Sequence, residues 1–162
     1  MIEFYGTLSD ECSKYVLRKS QKAAWFVGAI VATIFSVPTI ILALKVDLII
    51  IIFVPVYIII ALLNGVPVGK KDYNKVLPSK ITIDLDSGII SSENEIFYFE
   101  KEISDIISVN DMGEWYHIYF GDRVDRIAKF VCQKDLLHGC TIEDFEKMFE
   151  DELVREVIKK DR

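Results

Sequence analysis

Hydrophobic residues dominate two adjacent stretches in the first half of this chain. The stretches are residues 23–44 and 48–68, and only Lys45, Val46 and Asp47 separate them. Neither stretch contains an Asp, Glu, Lys, Arg or His residue. A helix of about 20 residues rises roughly 30 Å, which is the thickness of the hydrocarbon core of a bilayer. The pattern therefore predicts a transmembrane helical hairpin over residues 23–68, with two spans.

Small side chains recur every four residues on the first predicted span and appear twice near the inner end of the second. They are Ala24, Gly28, Ala32, Ser36, Ala61 and Gly65. Positions four apart share one face of a helix, and small residues there let a second helix approach closely. We expect this face to pack within the hairpin, and a homodimer formed through the same face is the alternative.

The apolar pattern ends after residue 68, and short runs of β-branched and aromatic residues begin at Ile81. The runs cover residues 81–85, 89–92, 96–99, 106–110, 115–120 and 127–132. Short strands separated by turn residues predict an antiparallel sheet that bends into a small barrel or sandwich. Thr141 followed by Asp144 predicts a helix start, and apolar residues continue at helical spacing as far as Leu153.

The N-terminal arm combines an extended segment at residues 2–7 with a helix start at Ser9. We expect an interfacial helix that leads into the first span. The alternative is that residues 2–7 add a strand to the distal domain. The chain is thus divided into an arm (1–22), a hairpin (23–68), a linker (69–80) and a β domain (81–162).

Charge is distributed unevenly among these regions. The net charge is +1 over residues 1–22, +3 over residues 70–80 and −10 over residues 81–162. Basic residues near spanning helices favour the cytoplasmic side, so we expect a multi-pass cell-membrane protein with both termini in the cytoplasm. The linker lysines are placed to contact anionic lipid: Lys70, Lys71, Lys75 and Lys80. The acidic β domain disfavours nucleic acid as a partner.

Three segments of the β domain carry a resemblance to a known family. They are ITIDLDSGIISS at residues 81–92, FYFEKEISDIISVNDMGEWYHIYF at 97–120, and TIEDFEKMF at 141–149. Together with the arm and the hairpin, they resemble the bacterial YcxB-like membrane proteins over nearly the whole chain. The resemblance implies an α+β membrane protein in which a pleckstrin-homology-like β domain, closed by a C-terminal helix, follows two transmembrane helices.

Few residues in this sequence suggest catalysis or metal binding. His117 lies in a predicted strand, where a solvent-facing or hydrogen-bonded histidine is expected rather than a base. Cys132, His138 and Cys140 form a C-x5-H-x-C pattern with three potential zinc ligands, and Asp135 or Asp144 could complete the set of four. Two buried cysteines that flank a loop histidine are expected instead. We expect these cysteines and Cys12 to be free thiols in a reducing compartment, and we expect no catalytic residue, metal or cofactor.

These patterns favour a membrane-anchored cytoplasmic interaction module that binds a protein partner or self-associates, without catalysis. The alternative is a small oligomeric pore or a stress-responsive membrane protein assembled through the Ala24-Gly28-Ala32-Ser36 face. Pro38 and Pro55 lie at similar depths in the two predicted spans, which motivates that alternative. An enzyme that uses the Cys132–His138–Cys140 loop ranks last.

Overall fold

The structure is a computed structural model that describes residues 1–45, 53–64 and 77–155. The chain forms two compact units. Met1–Leu17 and Gly69–Arg162 make the first, which we call the β unit, and Arg18–Val68 makes the second, which we call the helical unit.

Strands account for most of the β unit. They are β1 (Ile2–Tyr5), β2 (Lys80–Asp84), β3 (Ile89–Glu93), β4 (Tyr98–Glu102), β5 (Ser108–Asp111), β6 (Trp115–Tyr119), β7 (Val131–Gln133), β8 (Leu137–His138) and β9 (Leu153–Arg155). The helices of the chain are α1 (Asp10–Lys45), α2 (Phe53–Asn64), α3 (Arg123–Arg126) and α4 (Ile142–Met148). Single 3-10 turns follow β4 and β7 at Ile103–Asp105 and Lys134–Leu136.

The strands form two sheets rather than one closed barrel. The five-stranded sheet has the order β4-β3-β2-β1-β8 and is antiparallel throughout. The four-stranded sheet has the order β7-β6-β5-β9, and its β5–β9 pair is parallel. The α+β class and the hairpin-connected strands agree with the sequence pattern. Of the two predicted forms, a barrel or a sandwich, the described residues show two separate sheets and no closed barrel.

Strand β1 lies inside the five-stranded sheet, between β2 and β8. Ile2 is paired with Ile83 and Phe4 with Ile81, while Glu3 is opposite His138 on the other side. Beyond β8, Gly139 has φ +95°, and a Cβ atom there would lie 2.8 Å from the carbonyl oxygen of Met1. Glycine is therefore required where the chain passes the start of β1. The N-terminal segment is thus a strand of the distal domain, as the alternative interpretation held.

The core of the β unit is filled by alternate residues of the strands and by α4. Phe145 of α4 is fully buried, and its ring lies 5.4 Å from that of Phe4 and 4.9 Å from that of Tyr116. The predicted start of α4 is confirmed: the Thr141 hydroxyl accepts a hydrogen bond from the backbone N–H of Asp144, which completes a capping box.

The C-terminal helix is shorter than its apolar spacing predicts. It ends at Met148, and the chain turns so that Leu153–Arg155 forms β9. The backbone N–H of Val109 donates to the carbonyl of Glu152, and β9 continues beside β5. The edge of β5 offers backbone partners that a longer helix would leave unused, so strand pairing prevails over helical periodicity at Leu153.

Helix α1 begins at Asp10, after Ser9 as predicted, and its first two turns belong to the β unit. Cys12 and Val16 are fully buried there. The Tyr15 hydroxyl is hydrogen-bonded to Nδ1 of His117 at 2.7 Å, and the Ser9 N–H donates to Oε1 of Gln133 at 2.6 Å. The start of the long helix is thereby fixed to β6 and β7.

Within the described residues, one helix is long and apolar enough to cross a membrane, over Asp10–Ile41. Of the second predicted span, the structure describes only α2, whose 12 residues rise about 18 Å. The remainder, at residues 48–52 and 65–68, lies outside the described residues. The two-span prediction is therefore supported for its first span only.

The burial of β1 predicts unequal effects of substitutions at two neighbouring positions. Phe4 is 3% exposed and Tyr5 is 61% exposed. We expect Phe4→Ala to lower the free energy of unfolding by about 3–5 kcal/mol, and Tyr5→Ala to change it by less than about 0.5 kcal/mol. Urea denaturation of the full chain in detergent, followed by tryptophan fluorescence, measures both. Equal losses would show that β1 is not a core strand.

Candidate functional site

The outer face of the five-stranded sheet is polar and mainly acidic. Because β residues alternate between faces, the positions between the buried isoleucines and Phe4 point outward. The register places these outward positions in cross-strand rows. The ionisable members of the rows, apart from the tyrosines, are Glu3, Lys80, Asp84, Glu93, Glu100, Glu102 and His138.

Lys80 on this face forms an ion pair with Glu3. Its Nζ lies 2.8 Å from Oε1 of Glu3 on the neighbouring strand, and this hydrogen bond raises the pKa of Lys80. The expected contact of Lys80 with lipid headgroups therefore competes with an ion pair inside the sheet. The other three residues of that prediction, Lys70, Lys71 and Lys75, lie outside the described residues.

Strand β4 forms one edge of this sheet and alternates between exposed and half-buried residues. The N–H of Ile103 donates to the Gly88 carbonyl, and the N–H of Asn94 donates to the Phe97 carbonyl. In an antiparallel ladder, bonded and non-bonded pairs alternate. The backbone N–H and C=O groups of Tyr98, Glu100 and Glu102 therefore point away from β3. In the part of the chain that the structure describes, no second strand pairs with β4.

An open depression of about 680 Å³ adjoins the C-terminal half of β4. Its lining includes the acidic residues Glu100, Glu102 and Asp105. Lys101 also lines it, but its ammonium group is paired with the carboxylate of Asp122. The depression is therefore dominated by negative charge.

Two large side chains are exposed where the turn leads into β4. Ile96 is 61% exposed and Tyr98 is 60% exposed. The Asn94 side-chain oxygen accepts hydrogen bonds from the backbone N–H groups of Ile96 and Phe97 at 2.7 and 2.9 Å. This local bonding fixes the turn and sets the start of β4 at Tyr98.

Beneath the turn, Lys129 is almost completely buried. It is 7% exposed, and its Nζ lies 3.5 Å from the centre of the Phe97 ring. Burial lowers the pKa of Lys129 from the ordinary 10.5 to about 8. The preceding residue, Ala128, has φ +50°, a conformation that is uncommon for a residue other than glycine.

The histidine and cysteine candidates from the sequence lie apart from this edge. His117 is fully buried and hydrogen-bonded to Tyr15. Cys132 is buried in β7 of one sheet, His138 lies on β8 of the other, and Cys140 is half-buried after it. Among the described residues, no His, Cys, Asp and Glu side chains are grouped so that they could hold a metal.

Burial also reduces the reactivity of the buried thiols. It raises the pKa of Cys12 to about 12 and raises the pKa of Cys132 well above its ordinary value. Cys12, Cys132 and Cys140 are all free cysteines.

In the helical unit, the small-residue stripe of α1 differs from its surroundings. From residue 24 to residue 38, the stripe positions are half-buried or, at Gly28, buried, whereas all the other positions are exposed. The stripe consists of Ala24, Gly28, Ala32 and Ser36. Ala61 lies in α2, and Gly65 lies outside the described residues. Packing through this face stays a prediction.

Sequence reasoning treated Glu100 and Glu102 as general surface charge and missed their position on a free edge. The alternation of aromatic and charged residues in FYFEKE, at 97–102, is the signal that could have shown a half-exposed strand. Lys129 carried no such signal, because its contacts, such as the one with the Phe97 ring, are made between residues distant in the sequence.

No family model, no curated protein and no solved structure matches this chain.

The buried lysine predicts a specific pH dependence of stability. Because the folded pKa of Lys129 lies below the ordinary value, the unfolded chain binds the extra proton, and the free energy of unfolding rises between about pH 8 and 10.5. The Phe97 ring favours the charged form and reduces this effect. We expect Lys129→Met to stabilise the protein at pH 7 by about 1–2 kcal/mol.

The gain from Lys129→Met should shrink as the pH approaches 10.5, and urea denaturation across this pH range measures it. Lys147→Met is the matched control, since Lys147 is exposed on α4. A constant difference between wild type and Lys129→Met over the whole range would contradict a lowered pKa of Lys129 in the folded protein.

Proposed function

We propose that this chain is a membrane-anchored interaction module of the YcxB-like type. The β unit is displayed on the cytoplasmic face of the cell membrane and binds a protein partner there. The hairpin over residues 23–68 is the anchor, and the module performs no catalysis. The long apolar helix over Asp10–Ile41 and the exposed acidic face of the five-stranded sheet support this proposal.

The observation that carries the proposal is the position of β1. Strands β1 and β2 are neighbours in one sheet, yet the whole apolar region lies between them in the chain. A chain that leaves a folded unit and returns to it crosses a bilayer an even number of times. If α1 spans the membrane, the segment that contains α2 must return, which supports a two-span hairpin with both termini on one side.

The basic residues that flank the hairpin support the cytoplasmic side. Residues 1–22 and 70–80 both carry net positive charge, whereas the loop between the spans contains Lys45 beside Asp47. The acidic sheet face then lies where positively charged segments of cytoplasmic or membrane proteins can reach it.

The topology can be tested with two introduced cysteines. We expect a membrane-impermeant maleimide to label Asp47→Cys in intact cells, because residue 47 lies in the outer loop. Tyr98→Cys should react only after the membrane is permeabilised, since it is exposed on the β unit. The wild-type chain gives the background from Cys140. Labelling of Tyr98→Cys in intact cells would place the β unit outside and refute the proposed topology.

The interaction function can be tested by proximity labelling from the C-terminus in the native membrane. We expect a reproducible set of protein neighbours, enriched over those of an unrelated two-span protein that carries the same label. A differently tagged second copy of the chain, co-expressed, reports self-association in the same experiment. If both labelled proteins return the same neighbours in the same proportions, the chain is not an interaction module.

A further inference from the structure

The free edge of β4 combines open backbone groups with an alternating row of acids. We infer that this edge receives an extended, basic segment of a partner protein, which adds as a further strand to the five-stranded sheet. This inference rests on the proposed function and specifies its partner: a segment in which Lys or Arg occupies alternate positions.

The backbone geometry of β4 fits an added strand. Tyr98, Glu100 and Glu102 direct their N–H and C=O groups away from β3. A strand about 4.8 Å beyond β4 would accept and donate hydrogen bonds at each of these residues. Such pairing supplies affinity through the main chain and leaves specificity to alternate side chains.

The side chains of β4 set the chemistry of that specificity. Tyr98, Glu100 and Glu102 are exposed and lie on one face of the sheet. An added strand would place every second residue beside them, over the acidic depression. Long cationic side chains match this row, and the aliphatic part of each can lie against the exposed Tyr98 ring. The only lysine of β4, Lys101, does not neutralise the row because Asp122 holds its ammonium group.

The same charges disfavour other occupants of the edge. In a second copy of this chain, β4 would bring Glu100 and Glu102 against an equally acidic strand, and like charges in opposed positions destabilise strand pairs. Nucleic acid and anionic lipid are repelled by the carboxylates of the row and of the depression. A basic polypeptide is the occupant that both the backbone and the charge favour.

The inference can be tested with a fluorescent peptide of alternating Lys and Val residues, bound to the full chain in neutral-lipid nanodiscs. Anisotropy should show saturable binding. Two further peptides carry N-methyl groups, one on all Lys amides and one on all Val amides. Because alternate amides of a strand face opposite sides, one methylated peptide should lose affinity about tenfold or more, and the other should retain it. Which one fails reports whether the strand adds parallel or antiparallel.

Variants of β4 separate the backbone contribution from the charge contribution. Glu100→Pro removes an outward N–H without disturbing the β3 ladder, and Glu100→Gln removes only the charge. We expect the proline variant to bind at least about threefold more weakly than the glutamine variant. A double variant that carries both Glu100→Lys and Glu102→Lys should not bind the peptide. The matched control, Glu143→Lys with Glu150→Lys, makes the same change of net charge at exposed positions around α4 and should bind like wild type.

Equal affinity for both methylated peptides would show attraction by charge alone and would overturn the inference, as would an absence of binding. Equal weakening by the β4 pair and the control pair would also overturn it. These outcomes leave the proposed function standing if proximity labelling still finds specific neighbours. If the peptide does not bind and proximity labelling finds no specific neighbours, the proposal that the chain is an interaction module is refuted as well.

Discussion

The pairing of β1 between β2 and β8 is the constraint on which the rest of the structure depends. It joins β1 to β2, which begins at Lys80, and to β8, which ends at His138. Ile2 and Phe4 fill the centre of the core, so the β unit cannot complete its core without the N-terminus. The apolar region is therefore inserted in the chain between two neighbouring strands of a single folded unit.

A second consequence concerns helix α1. Its first turns are packed on β6 and β7 through Cys12 and Val16, and the partly buried Tyr15–His117 hydrogen bond lies beside them. A partly buried hydrogen bond between a helix and a strand favours one register of that helix, because sliding would separate the two polar groups. The start of the apolar helix is thus set by specific contacts as well as by hydrophobicity.

Local patterns in the sequence were sufficient for several elements but not for their arrangement. Alternation identified β2 because one of its faces is buried, and the turn residues 86–88 identified the start of β3. The Thr141–Asp144 pair identified the start of α4 because capping is a local interaction. Strand β8 has only two residues, and β9 lies where Leu153 continues a helical spacing. Both exist because a neighbouring strand edge offers hydrogen bonds, and the sequence around them carries no sign of that edge.

The same distinction applies to the candidate site. Glu100 and Glu102 are visible in the sequence as charges, but an edge is a property of the completed sheet. Charged residues on an edge strand protect it from pairing with identical strands. On β4 all the unpaired charges have one sign, since Lys101 is bound to Asp122. A row of one sign repels copies of itself and attracts the opposite sign, so the charge that disfavours pairing with a second copy is also the charge on which the proposed basic partner depends. The position of Glu100 and Glu102 on β4 therefore matters as much as the net charge of the β unit.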